Sequence, residues 1–355
     1  MSDKIKIVFM IPNMTGGGTE RVISLLADSY MHKGYEVAIM QFAGYEHAYD
    51  LNPGIEDFTI APQSKGNPLI MFRRIQAMKR YFRQNPDCYI FAFCVMGAIT
   101  AAIAAPGKHR HLLVAERNNP RSCKIPHLRN WAYHRADVIT FQTEAGISYF
   151  DSRIAKKAVV IPNPIDASAI PERYTGVRRH RIVTVGRLHK QKNQKLLLKA
   201  FGNFYVKHRD YELHIYGKGE LEKELKEYAA YLGIAQEVIW HGFSEKVKEE
   251  ICDSRMFVLS SDYEGISNSM LEAIAMGIPA ISTDCPIYGA RSYIQDGISG
   301  LLTPVGDCEA LVEAMSRIAD DDQLAERISE NGAKIRMAFG VDEIANRFAK
   351  AAGII

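Results

Sequence analysis

The chain repeats one pattern along nearly its whole length: a short continuous apolar run, a turn, then a stretch with helical spacing. Apolar runs fall at 5–11, 36–42, 88–93, 111–115, 137–141 and 157–161, with helical stretches near 19–33, 68–84, 96–105, 124–134 and 143–150 between them. A strand that is apolar on both sides must be covered on both sides, and the intervening helices supply that cover. The pattern therefore dictates parallel sheets wrapped by helices. It breaks once, in the Pro- and charge-rich segment from Ile161 to Arg181, which reads as a linker. It then resumes with RIVTVG, a helix from Asn193, ELHIYG, a helix from Glu220, EVIWHG, MFVLSS, a helix from Asn268, PAISTD and SGLLTP. Three helical stretches, 308–319, 322–337 and 341–353, complete the chain. Two successive open α/β sheets follow, and 355 residues suit two such cores. The expected domains are 1–170 and 171–340, with 341–355 as a helix returning to the first.

Composition removes several classes. The 47% hydrophobic and 24% charged content excludes a disordered chain. The six cysteines, at 88, 94, 123, 252, 285 and 308, form no CxxC pair and have no histidine at metal-ligand spacing. Reduced, packed thiols and a cytoplasmic location are expected, and no metal site is. The opening MSDKIKIVFMIPNM reads as a first strand, too short in its apolar run for a signal peptide, and no stretch reaches the length of a membrane span.

The net charge of +3 is uneven: residues 1–170 hold 20 Lys and Arg against 14 Asp and Glu, and the remainder 24 against 27. A basic first half suits an anionic partner such as a lipid headgroup or a diphosphate. The 67–83 stretch sets Arg73, Arg74, Lys79, Arg80 and Arg83 beside Phe72, Ile75, Ala77, Met78 and Phe82. That is either a core helix with a solvated basic face or a face for anionic lipid, and the expectation leans to peripheral membrane contact at the inner face. No nucleic-acid partner is expected.

In open α/β sheets ligands bind beyond the carboxyl ends of the strands. Four features of the second half fall there. Gly186, Arg187 and Leu188 follow RIVTV, and Lys192 precedes the next helix, so that two cations five residues apart can clamp a diphosphate. Gly217 and Gly219 follow ELHIY and let backbone approach a flat ligand. His241, Gly242 and Phe243 form the next exit. The fourth runs from Asp262 to Glu272: Glu264 and Glu272 bracket a turn through Gly265, Ile266, Ser267, Asn268 and Ser269 into a helix, whose first N–H groups suit a phosphate.

The glutamate pair, continued by Ala273 to Ile281, closely resembles the signature of the retaining GT-B glycosyltransferases of the GT4 family. The resemblance spans nearly the whole chain, taking in Gly16-Gly17-Gly18-Thr19-Glu20-Arg21, Ile161-Pro162-Asn163-Pro164, Gly186-Arg187-Leu188 with Lys192, and Asp296-Gly297-Ile298-Ser299-Gly300-Leu301-Leu302. It implies two Rossmann-like domains facing each other across a deep cleft. It also implies transfer of a hexose or N-acetylhexosamine from a nucleoside diphosphate sugar, of UDP type, to a polysaccharide or lipid-linked glycan. By the same resemblance Arg187 and Lys192 neutralise the leaving diphosphate, Glu272 holds ribose hydroxyls, and Glu264 contacts the donor sugar. The Gly16–Gly18 backbone lies near the diphosphate or the reacting centre, and no cofactor besides the donor is implied. Many relatives carry a histidine after the fourth strand, where this chain reads Ala115-Glu116-Arg117-Asn118-Asn119-Pro120.

Rival readings are a sugar-nucleotide 2-epimerase of the same architecture, without the paired glutamates, and a catalytically silent nucleotide-sugar-binding subunit. A dinucleotide fingerprint is disfavoured, since Gly16–Gly18 does not give GxGxxG and EVAIMQF ends in no acidic residue. Asp320-Asp321-Asp322, far from the nucleotide loops, reads as a turn and helix cap.

Overall fold

The computed structural model of the chain describes residues 4–15, 18–42, 49–60, 68–105, 111–117, 120, 123–285 and 289–355. The chain forms two compact units, Met1–Pro164 with Val341–Ile355, and Ile165–Gly340.

The first unit is a seven-stranded parallel sheet in the order β3-β2-β1-β4-β5-β6-β7. Its strands are β1 (Lys6–Ile11), β2 (Glu36–Gln41), β3 (Glu56–Thr59), β4 (Tyr89–Phe93), β5 (Leu112–Ala115), β6 (Val138–Phe141) and β7 (Ala158–Val160). Its helices are α1 (Gly18–His32), α2 (Pro68–Gln84), α3 (Cys94–Ala104), α4 (Pro126–Arg135), the single turns α5 (Glu144–Ile147) and α6 (Ser152–Ala155), and the C-terminal helix. One sheet face, built from Val8, Met40, Ile90, Val114 and Ile139 among others, packs on Met78 and Phe82 of α2, Ile99 of α3 and Tyr133 of α4. On the other face Phe9 meets Tyr30 of α1, while Phe91 and Phe93 lie 6.1 Å from Phe348 of the C-terminal helix. That helix is bound to α1 by Ser29 Oγ donating to Asp342 (2.6 Å) and Tyr30 OH donating to the Ala345 carbonyl (2.7 Å).

The second unit is a six-stranded parallel sheet in the order β10-β9-β8-β11-β12-β13. The strands are β8 (Arg179–Val185), β9 (Glu212–Tyr216), β10 (Val238–Gly242), β11 (Ser254–Leu259), β12 (Ala280–Thr283) and β13 (Leu301–Thr303). The helices are α7 (Gln194–Tyr205), α8 (Glu222–Tyr231), α9 (Val247–Ile251), α10 (Asn268–Ala275), α11 (Cys308–Asp320), α12 (Asp322–Ala333) and α13 (Ile335–Ala338). The C-terminal helix of the first unit is then α14 (Val341–Ala351).

Four elements differ from the sequence reading. β3, with sequence EDFT, is a sheet edge with two exposed and two half-buried residues, so it carries no apolar run. The stretch 143–150 is one turn at 144–147 followed by another at 152–155, and 322–337 breaks into α12 and α13. The segment 161–181 is no free linker. Arg178, buried at its end, donates to the carbonyls of Cys252 (3.0 Å), Ser254 (3.1 Å), Tyr174 (3.1 Å) and Gly277 (2.7 Å). One guanidinium thereby satisfies four backbone acceptors and ties the segment into the second unit. Of the three consecutive aspartates, Asp320 ends α11, Asp321 caps α12 by accepting from Leu324 N (2.9 Å), and Asp322 pairs with Arg255 (2.6 Å).

Candidate active site

In the second unit the chain runs from β8 outward to β10, then crosses back to β11 on the other side of β8. The point of reversal therefore lies between β8 and β11, and a crevice opens at their carboxyl ends. The residues placed there are those that leave β8, Gly186 to Lys192, and those that leave β11, Ser260 to Glu264.

The two loops are bonded to each other. Asp262 N donates to the Gln191 carbonyl (2.9 Å), Asn193 Nδ2 to Asp262 Oδ1 (2.6 Å), and Ser260 Oγ to the Lys192 carbonyl (3.0 Å). Asn193 adopts the left-handed conformation (φ 44°) and accepts at its side chain from Leu196 N, which turns the chain sharply into α7. This turn aims Lys192 inward. Its ammonium lies 2.5 Å from Glu264 Oε2, with both side chains only 15% exposed. Glu264 also accepts from Gln191 Nε2 (3.2 Å) and Ser261 Oγ (3.3 Å). Arg187 is exposed, and its side chain makes no ion pair among the described residues. The crevice thus holds one cation fixed against a carboxylate and one extended into solvent.

Below this loop Cys285 Sγ donates to the Ser261 carbonyl (3.0 Å). Burial pushes its thiol up to about 11, so it stays protonated and acts as a strut rather than a nucleophile.

Gly217 and Gly219 do permit a close approach, but to the neighbouring loop. A Cβ on Gly217 would stand 1.9 Å from the Gly186 carbonyl oxygen, and one on Gly219 2.1 Å from that of Leu188. Leu188 N donates to the Lys218 carbonyl (3.0 Å) and Gly217 N to the Gly242 carbonyl (2.6 Å), so the three strand exits form one stitched rim. Gly186 leaves the Lys192 stem its place, a Cβ there standing 3.3 Å from Lys192 Cε.

His241 is exposed at this rim, as is Phe243. His241 stacks on Tyr216 (4.1 Å, 2°) and lies 2.9 Å from His214 Nδ1 through its Nε2, while His214 Nε2 lies 3.0 Å from Glu212. Burial holds both imidazoles below the ordinary histidine range. With Glu212 accepting from His214 Nε2–H, His214 Nδ1 must accept from His241 Nε2–H. His241 Nδ1 is then left as an acceptor.

The helix α10 starts beside the crevice. Ser267 occupies its N-cap position without a side-chain cap bond, so the first-turn N–H groups receive no cap from that residue. Ser269 Oγ donates to the Val185 carbonyl (2.8 Å), which ties the helix start to β8, and the Ile266 side chain is buried in the core. Gly265 passes close to Gly289, where a Cβ would stand 1.6 Å from the Gly265 carbonyl oxygen. Glu272, fifth in the helix, pairs with Lys248 at 3.6 Å. Lys248 also donates to the Ala169 carbonyl (2.9 Å). Sequence reading missed Lys248, because it sits on the five-residue α9, too short for a helical period.

The structure thus gathers Gly186, Arg187, Lys192, Gly217, Gly219, Gly242 and Glu264 around one crevice, with the Gly265–Ser269 helix start beside it. Gly18 opens α1 in the first unit, and Gly16 and Gly17 lie outside the described residues. Arg117 is buried inside the first unit, donating to Asn163 Oδ1 (3.0 Å) and lying over the rings of Phe93 (5.5 Å) and Phe348 (5.3 Å). Asn118 and Asn119 lie outside the described residues. No group of three His, Cys, Asp or Glu able to hold a metal ion occurs among the described residues.

The family model for glycosyl transferases group 1 matches residues 175–335, and that for Glycosyltransferase Family 4 matches residues 16–169. The chain is 24% identical over 356 residues, covering 98% of both, to a Campylobacter jejuni protein. That relative is named as a GalNAc-alpha-(1->4)-GalNAc-alpha-(1->3)-diNAcBac-PP-undecaprenol alpha-1,4-N-acetyl-D-galactosaminyltransferase. This chain is also 31% identical over 177 residues to the lipopolysaccharide 1,6-galactosyltransferase of Salmonella typhimurium, covering 48% of this chain and 46% of that one. Anabaena HepE, solved in complex with UDP, superimposes with a TM-score of 0.82 at 18% identity, covering 99% of this chain and all of the other. With two models of one enzyme group together matching residues 16–169 and 175–335, and HepE superimposing over 99% of the chain, the chain belongs to the GT4-type glycosyltransferases of GT-B fold.

Proposed function

We propose that the protein is a retaining, metal-independent transferase that moves a hexose or N-acetylhexosamine from a UDP-sugar to a growing polysaccharide or lipid-linked oligosaccharide. The observation that carries this reading is the crevice at β8 and β11, where Arg187 and Lys192 stand beside Glu264 and the start of α10. Two cations and a row of backbone N–H groups are what a departing diphosphate needs when no metal ion neutralises it. The names of the Campylobacter and Salmonella relatives support a glycan acceptor, and HepE with UDP supports the nucleotide.

In this reading the diphosphate displaces Glu264 from Lys192, and the freed carboxylate turns to the hydroxyls of the donor sugar. Glu272 takes the ribose diol, and Lys248 orients that carboxylate. The test is a thermal-shift screen of nucleoside diphosphates and their sugars. A ligand at about 100 times its Kd stabilises by about 2.7 kcal/mol. UDP and one UDP-sugar are expected to raise the melting temperature, transfer to run unchanged in EDTA, and the product to keep the donor's anomeric configuration by NMR. Complete loss of transfer in EDTA, restored by added Mg²⁺ or Mn²⁺, would contradict the metal-independent reading.

The two glutamates separate by kinetics. Glu272→Ala is expected to weaken UDP itself, because the ribose contact is common to substrate and product. Glu264→Ala is expected to lower kcat with little effect on UDP, because its partner is the transferred sugar. Wild-type UDP affinity in Glu272→Ala, measured by calorimetry, overturns the ribose assignment.

A further inference from the structure

The second unit has a pocket at the amino end of its sheet, away from the crevice. It holds about 440 Å³ and lies over the starts of β8, β9 and β10, three neighbouring strands. A volume of this size takes a small organic ligand or a short stretch of a longer one. The crevice is at the carboxyl end of the same sheet. The seven residues of β8, at about 3.3 Å per step, put the two ends roughly 20 Å apart.

The pocket wall mixes donors with acceptors. Arg209 and Gln236 are exposed, and neither side chain has a hydrogen-bond partner among the described residues. Arg179 meets Asp253 through Nε (2.8 Å), which leaves its two terminal nitrogens to face a ligand. Glu237 accepts from Tyr205 OH (3.2 Å) and Glu212 pairs with His214 Nε2 (3.0 Å), each through one oxygen, so each carboxylate keeps another. Two flat stacks stand among these groups. The His180 imidazole, 52% exposed, lies parallel on the Tyr211 ring (4.7 Å, 2°) and is held by Asp210 (2.5 Å). The Arg209 guanidinium lies 4.8 Å over the Tyr205 ring.

Charge separates the ligand classes that would fit. Arg179, Arg181 and Arg209 line the pocket, and so do Asp210, Glu212 and Glu237. Asp253 pairs with both Arg179 (2.8 Å) and Arg181 (2.7 Å), so carboxylates outnumber guanidinium groups. A phosphate, a nucleotide or an acidic sugar would meet no net attraction there. An apolar molecule would strip water from these groups without replacing its hydrogen bonds. A neutral polyol suffers neither cost. Each of its hydroxyls both donates and accepts, and so can bridge an arginine or amide and a carboxylate. The C–H face of a sugar ring gains by leaving water for an aromatic ring such as His180.

We propose that this pocket is a carbohydrate-binding site, separate from the transfer crevice, that takes a neutral stretch of glycan. It rests on the preceding reading only in that a glycan is what such an enzyme extends. A chain bound there is held to the enzyme by a part remote from the reacting sugar. β10 is the edge strand, so a long glycan can pass from pocket to crevice along that side of the sheet.

A printed array of short neutral oligosaccharides of glucose, galactose, N-acetylglucosamine and N-acetylgalactosamine tests it, with UDP present to occupy the crevice. The full chain is expected to bind at least one of them. Calorimetry on that oligosaccharide is expected to show a loss of about tenfold or more in Arg209→Ala with Gln236→Ala, the effect of two hydrogen bonds. Gln236→Trp, which puts an indole at the pocket mouth, should abolish binding. Both side chains are exposed, so the melting temperature and the UDP shift should stay as in the wild type. An array on which no neutral oligosaccharide is bound overturns the proposal, as does equal affinity in the Arg209→Ala, Gln236→Ala variant. Binding seen only without UDP overturns it too, because the glycan would then sit in the crevice. Stronger capture of sulfated or phosphorylated oligosaccharides overturns the neutral class. UDP binding is read on the same samples. An empty array with UDP binding intact removes this pocket alone, whereas a chain that binds no UDP removes the donor reading.

Discussion

Replacing Arg187 and Lys192 together by alanine is expected to abolish sugar transfer. Negative charge develops on the leaving diphosphate, and removing a single preorganised donor to such charge costs about 10²–10³ in kcat. The two sites differ in what else they lose. Arg187 is exposed and makes no ion pair among the described residues, so Arg187→Ala should leave the fold untouched. Lys192 holds Glu264 at 2.5 Å in a largely buried pair, so Lys192→Ala also strands a carboxylate. The single variant Lys192→Ala should therefore lower both kcat and the melting temperature, and Lys192→Ala with Glu264→Gln should recover the second but not the first. Turnover and UDP affinity are the measurements. A double variant with near-wild-type turnover would remove the clamp from the mechanism.

Arg178→Met is expected to destabilise the second unit by about 3 kcal/mol or more, since each buried acceptor left unsatisfied costs about 1–3 kcal/mol. The side-chain volume is nearly kept, so the loss is not a cavity. It comes from leaving the carbonyls of Cys252, Ser254, Tyr174 and Gly277 without their donor. The chain has two tryptophans, Trp131 in the first unit and Trp240 in the second. In a Trp131→Phe background, urea unfolding followed by fluorescence reports the second unit alone. A midpoint unchanged by Arg178→Met would mean that water replaces the guanidinium at these carbonyls.

Much of this architecture was legible because burial writes itself into sequence. Strands such as Ile7–Ile11 and Met256–Leu259 are covered on both faces, so they read as unbroken apolar runs. The position of the crevice follows from strand order, which places Arg187, Lys192 and Glu264 at one reversal point. What stayed hidden has local causes. β3 is polar because an edge strand need bury only one side, and Lys248 gave no signal because five helical residues show no period. The glycines at 217 and 219 read as space for a ligand, yet their space is filled by the carbonyls of Gly186 and Leu188, a tertiary contact invisible to spacing. Arg117 stands where many relatives carry a histidine, and nothing in the sequence signals that its guanidinium is buried over the rings of Phe93 and Phe348.

The return of α14 to the first unit makes that unit discontinuous and the second a single insertion into it. The insertion begins and ends at the same place, since Ile165 pairs with Gly340 and Ile165 N donates to the Phe339 carbonyl at 2.7 Å. Residues 165–340 are in this sense a cassette with adjoining ends. A chimera that exchanges them keeps Phe348 over Phe91 and Phe93, whereas a simple cut after residue 340 strips that cover. Recombination between relatives at these two junctions can therefore exchange the crevice at β8 and β11 while leaving the other unit's core intact. A chain built this way can replace one of its two cores without refolding the other.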